Sequence, residues 1–406
     1  MTAPAKTVFL SGAGGMGNLG AEAITLAVIP FFQDRWGMDT RFILAAWHPD
    51  RMRDLLSGLP GLFEVVKQTV PFDRPGLLRG SDIFVVCGDV ALTETVIPIL
   101  PCYWAFKSLW ARLFGARVLF LGVDAEPMRR RLNRWAIRLV LDRVVEHYLV
   151  RNEEARQHLQ HVSGRPAHIL LGCEPALLVE DRHLELFPAS PLDRKGAKRA
   201  IGLGIRDFFS EPLRLDPLRL KLVRRDAPPG QLSARMQQTV TLLAHMADRL
   251  AEKHDARLFV VPHHALEASK KVILSDREVA DHLRRAMRHP DRLEVLPENL
   301  HPYTAMNVHR QCDLAVSMRH HTSSFAFRFG VPVIGLGVSE KIRGHFRLVD
   351  QPEMLIDPLD PDTTTANRVV DEAVSRREEL SGRLRQRLKA LQDEMKQALD
   401  VALRYE

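Results

Sequence analysis

Thr7-Val-Phe-Leu-Ser-Gly-Ala-Gly-Gly-Met-Gly-Asn-Leu-Gly-Ala-Glu-Ala-Ile24 is the stretch that decides the fold of this chain. Thr7–Ser11 is a short apolar run of strand length. The glycine-dense turn Gly12–Gly20 follows it. From about Ala21 to Phe32 the apolar residues Ile24, Val28 and Phe31/Phe32 recur at helical spacing. Strand, glycine turn and helix in that order open a doubly wound α/β domain. Further along, Phe42–Ala46, Ile83–Cys87 and Val118–Gly122 are short apolar runs with helical patterns between them. That pattern predicts parallel strands covered on both faces. Val150–Leu159 and His168–Leu171 extend the same domain.

The character changes at Val179–Arg199, which is acidic, then proline-bearing, then basic, with no sustained periodicity. An interdomain linker is expected there. Ala200–Ile205 then restarts the strand pattern, followed by strand-like runs at Leu258–Pro262, Leu293–Leu296, Leu314–Ser317 and Val331–Leu336. Helical patterns centred on 235–253, 277–288 and 322–329 fill the gaps. The expected fold class is α/β, with two doubly wound Rossmann-like domains in a glycosyltransferase-B-like arrangement and the active site in the interdomain cleft. The expected division is 1–180, a linker over 181–199, 200–363, and a charged helix over 364–406 carrying the stripe Leu380, Leu384, Leu388, Leu391 and Met395.

At 406 residues the chain suits two domains of ordinary size. A formal charge of +7 favours anionic partners. The four cysteines form no CxxC pair, which argues against a zinc site or a disulfide framework, so reduced, buried thiols are expected. No h-region follows Met1, and no apolar run approaches the roughly 20 residues a membrane span needs. A cytoplasmic enzyme is expected, with the inner face of the membrane as a candidate place of work. The basic stretch Arg129-Arg-Arg-Leu-Asn-Arg-Trp-Ala-Ile-Arg138 reads as an amphipathic helix, with Leu132, Trp135, Ala136, Leu139 and Val140 on one face. Anionic headgroups are a candidate partner for it, and a solvated basic face over a core stripe is the alternative.

Chemistry is expected at strand ends. Ser317-Met-Arg-His-His-Thr322 places Arg319, His320 and His321 at the carboxyl end of Leu314–Ser317, with a helix N-cap expected near Thr322/Ser323. A cation, two imidazoles and a helix start suit a phosphate or carboxylate and offer an acid/base group that titrates near neutrality. Ile201-Gly-Leu-Gly-Ile-Arg-Asp207 delivers Arg206 in the same way, and an arginine can grip a carboxylate bidentately. Lys341, Arg343, His263 and His264 also follow strands of this domain. No metal is expected, because the adjacent histidines lack ligands at a suitable spacing. In the first domain the glycine loop is a ligand seat, with Gly14, Gly15, Asn18 and Glu22 as candidate substrate-binding residues. A dinucleotide is disfavoured: Gly12, Gly14 and Gly17 satisfy GxGxxG, yet Phe42–Ala46 leads to Trp47-His48 and to no acid.

With these residues assembled, the chain resembles the polysaccharide pyruvyl transferase family. Gly14-Gly-Met-Gly-Asn-Leu-Gly-Ala-Glu-Ala-Ile24 is similar to the family's opening, with Ala21 in place of its acidic residue. Ser317-Met-Arg-His-His321 is similar to the family's Gly-Met-Arg-Leu-His signature, with Ser317 for the glycine and His320 for the leucine. Gly330-Val-Pro-Val-Ile334, Lys341-Ile-Arg-Gly344 and Val150-Arg-Asn-Glu-Glu154 also fit. Cys87-Gly88-Asp89 departs from the family's Gly-Gly-Gly loop, so Gly88 and Asp89 are expected to give the acceptor side a different wall. The resemblance implies transfer of the enolpyruvyl carbon of phosphoenolpyruvate to two hydroxyls of a saccharide or lipid-linked saccharide, as a ketal. It implies His321 as general acid, Arg206 and Arg319 on the donor's carboxylate and phosphate, a backbone contact from His320, and Lys341 at the departing phosphate. No cofactor and no nucleic-acid partner are implied, and oligomerisation is left open. A nucleotide-sugar glycosyltransferase is the alternative, with Glu340 as its one obvious ribose-binding acid.

Overall fold

In the computed structural model of the chain, Thr7–Gly12 is a strand, β1, in the interior of a seven-stranded sheet. The structure describes residues 5–69, 73–88, 91–94, 98–209, 214–216, 221–223, 231–264, 274–360 and 362–404. The other strands of this sheet are β2 (Arg41–Ala46), β3 (Leu62–Lys67), β4 (Ile83–Cys87), β5 (Arg117–Val123), β6 (His147–Val150) and β7 (Ile169–Leu171). All pairings are parallel, in the order β3-β2-β1-β4-β5-β6-β7. Strand order reverses between β1 and β4, the switch point at which ligands of such sheets bind. The central strands β1 and β4 are buried along their whole length, which explains their uninterrupted apolar character. β3 was not expected from its sequence. It is an edge strand, and Leu62 is 54% exposed, so burial imposes little pattern on it.

A second sheet repeats the plan with β8 (Arg199–Gly204), β11 (Ala256–Val260), β12 (Leu293–Val295), β13 (Leu314–Ser317), β14 (Val333–Leu336) and β15 (Leu355–Ile356). Its order is β12-β11-β8-β13-β14-β15, again all parallel, with the switch point between β8 and β13. A two-stranded antiparallel ribbon, β9 (Arg214–Asp216) and β10 (Lys221–Val223), precedes β11. The two sheets belong to two compact units: Met1–Leu186 with Lys389–Glu406, and Phe187–Leu388.

Asp181–Leu184 forms a short helix within the expected linker Val179–Arg199. Two local expectations are corrected. The charged C-terminal segment is two helices, Thr363–Ser375 and Arg377–Ala402, broken at Arg376. The stripe Leu380, Leu384, Leu388, Leu391 and Met395 is nonetheless buried throughout. Residues from Lys389 onward pack with the first unit, where Gln392 Nε2 donates to the carbonyl of Leu177 at 3.0 Å. The second correction concerns the basic stretch. It is a short α-helix, Arg131–Ala136, that widens into a π-helical turn, Ile137–Leu141. The expected apolar face is split, since Ala136 is buried while Leu132 and Trp135 are exposed. All four cysteines are free and buried. No helix among the described residues is long and apolar enough to cross a membrane.

Candidate active site

In the first unit the glycine loop lies at the carboxyl end of β1, beside the switch point. Gly15 and Gly17 have φ of +68° and +71°, backbone conformations that side chains disfavour. The helix Leu19–Trp36 begins after Asn18, whose side chain accepts the N–H of Gly20 at 3.1 Å. Glu22 is fully buried. Its Oε1 accepts the Gly17 N–H at 2.9 Å, and Arg51 clamps both of its oxygens at 2.6 Å. The carboxylate therefore ties the loop to the helix after β2, and the expected contact of Glu22 with substrate gives way to a framing role. Gly14 is buried in the turn, and Gly88 lies next to the loop: a Cβ on Gly88 would come to 3.8 Å from the Ala13 nitrogen. Asp89 lies outside the described residues. The Val150-Arg-Asn-Glu-Glu154 motif also has a structural explanation here. Arg151 is buried against Asp124 and, at 3.6 Å, Glu174. Asn152 caps the helix Glu153–Val162.

In the second unit, β8 and β13 deliver their residues to the other switch point. The helix after β13 starts earlier than expected, at His320, with Arg319 as N-cap residue. Thr322 and Ser323 thus sit in its first turn and do not cap it. The turn is held by Ser317, whose hydroxyl accepts the Arg319 N–H at 2.9 Å and donates to the Arg319 carbonyl at 2.8 Å. Gly204 leaves room for this packing, because a Cβ there would meet the Thr322 hydroxyl at 2.4 Å.

Arg319 is buried and anchored. Its Nε donates to the Ile205 carbonyl at 2.7 Å, and its Nη2 pairs with Asp276. Burial lowers its pKa to about 10; Asp276 opposes the shift and Arg206 adds to it, so the guanidinium stays charged at neutral pH. Arg206 is half-buried and makes no ion pair or hydrogen bond through its side chain among the described residues. Asp276 matches Arg319, and Asp207, which follows Arg206, is also buried and accepts the Leu274 N–H at 3.3 Å, so the charge this strand end offers a ligand is the guanidinium of Arg206. Sequence reasoning missed Asp276, although Ser275 and Glu278 form a capping box that places it in the first turn of Asp276–Ala286. A buried arginine needs an acid, and that signal was available.

Imidazoles surround this pair. His320 and His321 are buried in the first turn, with ring centroids 5.4 Å apart, and the His345 ring lies tilted against His320 at 4.1 Å. His345 and the buried His309 were not anticipated. His263 bonds the Thr322 hydroxyl at 2.8 Å and stacks on Phe325. Burial, then Arg319, pushes the pKa of His263 well below its usual value, and the same two causes push His264 to about 2. Both rings are neutral at pH 7. Lys341 is half-buried in the first turn of Glu340–Leu348, after β14. Arg343 pairs with Glu340 and Asp357, and Glu340 also meets Arg347, with its side chain 79% exposed.

His309 gives a stability prediction. Neither ring nitrogen has a hydrogen-bond partner among the described residues, and burial lowers its pKa from 6.5 to about 4. In the unfolded chain the ring binds its proton near pH 6.5, whereas the folded protein resists until about pH 4. Stability is therefore present above pH 6.5 and falls between 6.5 and 4, by roughly 3 kcal/mol for this one group. His309→Leu should flatten the dependence of unfolding temperature on pH across that window. An unchanged slope would remove His309 from the account.

Comparison with known proteins agrees with the fold. The Anabaena protein HepE in complex with UDP-glucose aligns with a TM-score of 0.60 at 14% identity, covering 99% of this chain and 100% of that one. The UDP-GlcNAc 2-epimerase of Neisseria meningitidis, bound to UDP-GlcNAc, aligns at 0.58 and 12% identity, covering 98% and 100%. That of Methanocaldococcus jannaschii aligns at 0.53 and 11% identity, covering 91% and 92%. These likenesses establish two Rossmann-like domains of glycosyltransferase-B type. No curated protein matches the chain in sequence. The family model for polysaccharide pyruvyl transferase matches residues 18–340, a span that holds Asn18, Arg206, the Ser317–His321 turn and its histidines, and the chain belongs to that family.

Proposed function

We propose that this transferase moves the enolpyruvyl group of phosphoenolpyruvate onto two hydroxyls of a saccharide, forming a cyclic ketal and releasing phosphate. The observation that carries the proposal is the guanidinium of Arg206 at the β8/β13 switch point, which no acid pairs among the described residues, in the same strand-end cluster as the anchored Arg319, His320 and His321. Phosphoenolpyruvate brings a carboxylate and a phosphate to such a site, and arginine suits both. His321 protonates the methylene carbon, which becomes the methyl group and leaves the central carbon electrophilic. One sugar hydroxyl attacks that carbon. The carbon–oxygen bond to phosphate then breaks, and the second hydroxyl closes the ring. Of the two hydroxyl protons, one replaces the proton His321 gave and the other leaves with phosphate. Arg206 and Lys341 stabilise the charge on the departing group. The glycine loop with Gly14, Gly15 and Asn18, together with Gly88, forms the acceptor side in this scheme.

The competing glycosyltransferase reading rests on Glu340 as ribose acid, and that carboxylate is exposed and paired with Arg343 and Arg347. Thermal unfolding with phosphoenolpyruvate, UDP, GDP, CMP or NAD separates the readings. Phosphoenolpyruvate at 100 times its Kd should add about 2.7 kcal/mol, a rise of several degrees. Stabilisation by a nucleotide and none by phosphoenolpyruvate would overturn the proposal.

A further inference from the structure

We infer that the first unit docks on an anionic lipid bilayer through the helix Leu100–Leu113 and the basic segment Arg129–Arg138. The helix Leu100–Leu113 buries Cys102, Trp104, Ala105 and Ala111 in the core and still carries an apolar outer line. Its polar residues Lys107 and Ser108 are buried, with Lys107 Nζ 2.9 Å from Asp73 and donating to the Ser11 hydroxyl at 3.2 Å. Arg112 is its exposed charged residue, and its other exposed positions are apolar. Ile99, Phe106 and Leu113 recur every seven residues, on one line of the helix, and are 55%, 56% and 68% exposed. Tyr103, Leu109 and Trp110 are only partly buried beside them. A helix face built this way is not solvated by its own side chains, and an extended apolar surface marks an interaction site.

The neighbouring segment supplies the charge. Helix Arg131–Ala136 and the turn after it pack on Leu100–Leu113. Asn133 locks the join, donating to Glu94 at 2.7 Å and to the Pro98 carbonyl at 2.8 Å while accepting from the Cys102 thiol. Arg129, Arg130, Arg131, Arg134 and Arg138 are all exposed, and none of their side chains makes an ion pair among the described residues. Leu132 (57% exposed) and Trp135 (53%) protrude between them. Neither 98–115 nor 127–141 contains an Asp or Glu.

Unpaired arginines around exposed tryptophan and leucine are the chemistry of an interfacial anchor: guanidinium groups meet lipid phosphates, and the apolar side chains enter the headgroup–acyl boundary. A second copy of the chain fits less well. A two-fold contact through this face would set its exposed arginines against their own copies, and the nearby Glu94 carboxylate is already held by the Arg129 and Arg130 N–H groups and by Asn133.

Vesicle sedimentation tests the inference independently of any transferase activity. Binding to phosphatidylcholine mixed with phosphatidylglycerol, weak on phosphatidylcholine alone and weakened by salt, is expected. R131E/R134E and F106S/W135S should each bind at least roughly tenfold more weakly with unfolding temperature unchanged, since all four positions are exposed. Brominated lipid should quench emission that W135F lacks. The inference is overturned by no binding to the anionic vesicles, or by binding that both double variants retain. It is equally overturned if the wild type forms a dimer that F106S/W135S abolishes, or binds a soluble polyanion such as heparin, without binding vesicles.

Discussion

His321→Ala is expected to lower ketal formation by about 10²–10⁴-fold while changing the affinity for phosphoenolpyruvate little, the span that a positioned general acid contributes. The buried first turn of His320–Arg328 fixes the ring, and the Ser317 hydroxyl secures that turn on both sides of Arg319. The donor's anionic groups are assigned to Arg206, Arg319 and Lys341, so removing the imidazole takes away the proton and leaves the binding charges. Turnover and a direct binding measurement, such as calorimetry with phosphoenolpyruvate, check the two halves separately. Near-wild-type turnover would sink the assignment of the acid. Equal loss of binding and turnover would make His321 a binding group. His320→Ala is the informative neighbour, because the donor is assigned only a backbone contact there.

Arg319→Ala should cost about 3–5 kcal/mol of stability, since it strands Asp276 as an unpaired charge in a buried site. It also releases the Ile205 carbonyl, which Arg319 holds at 2.7 Å, and so loosens the strand end that presents Arg206. Asp276 has a second duty in accepting the His263 N–H at 2.7 Å, so its loss alone would disturb that segment too. Denaturant unfolding of the single and double variants separates structure from chemistry. Arg319→Met with Asp276→Leu should recover only part of the stability, because it removes the stranded charge but leaves the His263 backbone N–H and the Ile205 carbonyl without these partners. It should not recover transfer. If the double variant is as active as the wild type, Arg319 has no part in the reaction.

The strands were legible where burial left no choice. Ile83–Cys87 and Leu314–Ser317 coincide with their apolar runs because both are covered on two faces, and the helix Ala234–His254 follows its amphipathic pattern closely. The edge strand Leu62–Lys67 was missed because partial exposure lets its side chains vary. The apolar face expected in the basic stretch is not buried as one: Leu132 and Trp135 are exposed in the regular helix Arg131–Ala136, and the π-helical turn Ile137–Leu141 then shifts the following residues off its 3.6-residue face.

Residue types and their order along the chain were enough to establish two doubly wound sheets, the glycine turn at β1 and the Arg-His-His cluster at the end of β13. These are local patterns, and burial of whole strands enforces them. Which charges are spent and which remain was decided only in three dimensions. Glu22 is consumed by Arg51 and Gly17, and Arg319 by Asp276, which lies 43 positions away in the chain. Arg206 is left unpaired among the described residues. A buried charge must find its partner wherever the fold brings one, and no spacing rule along the chain encodes that meeting.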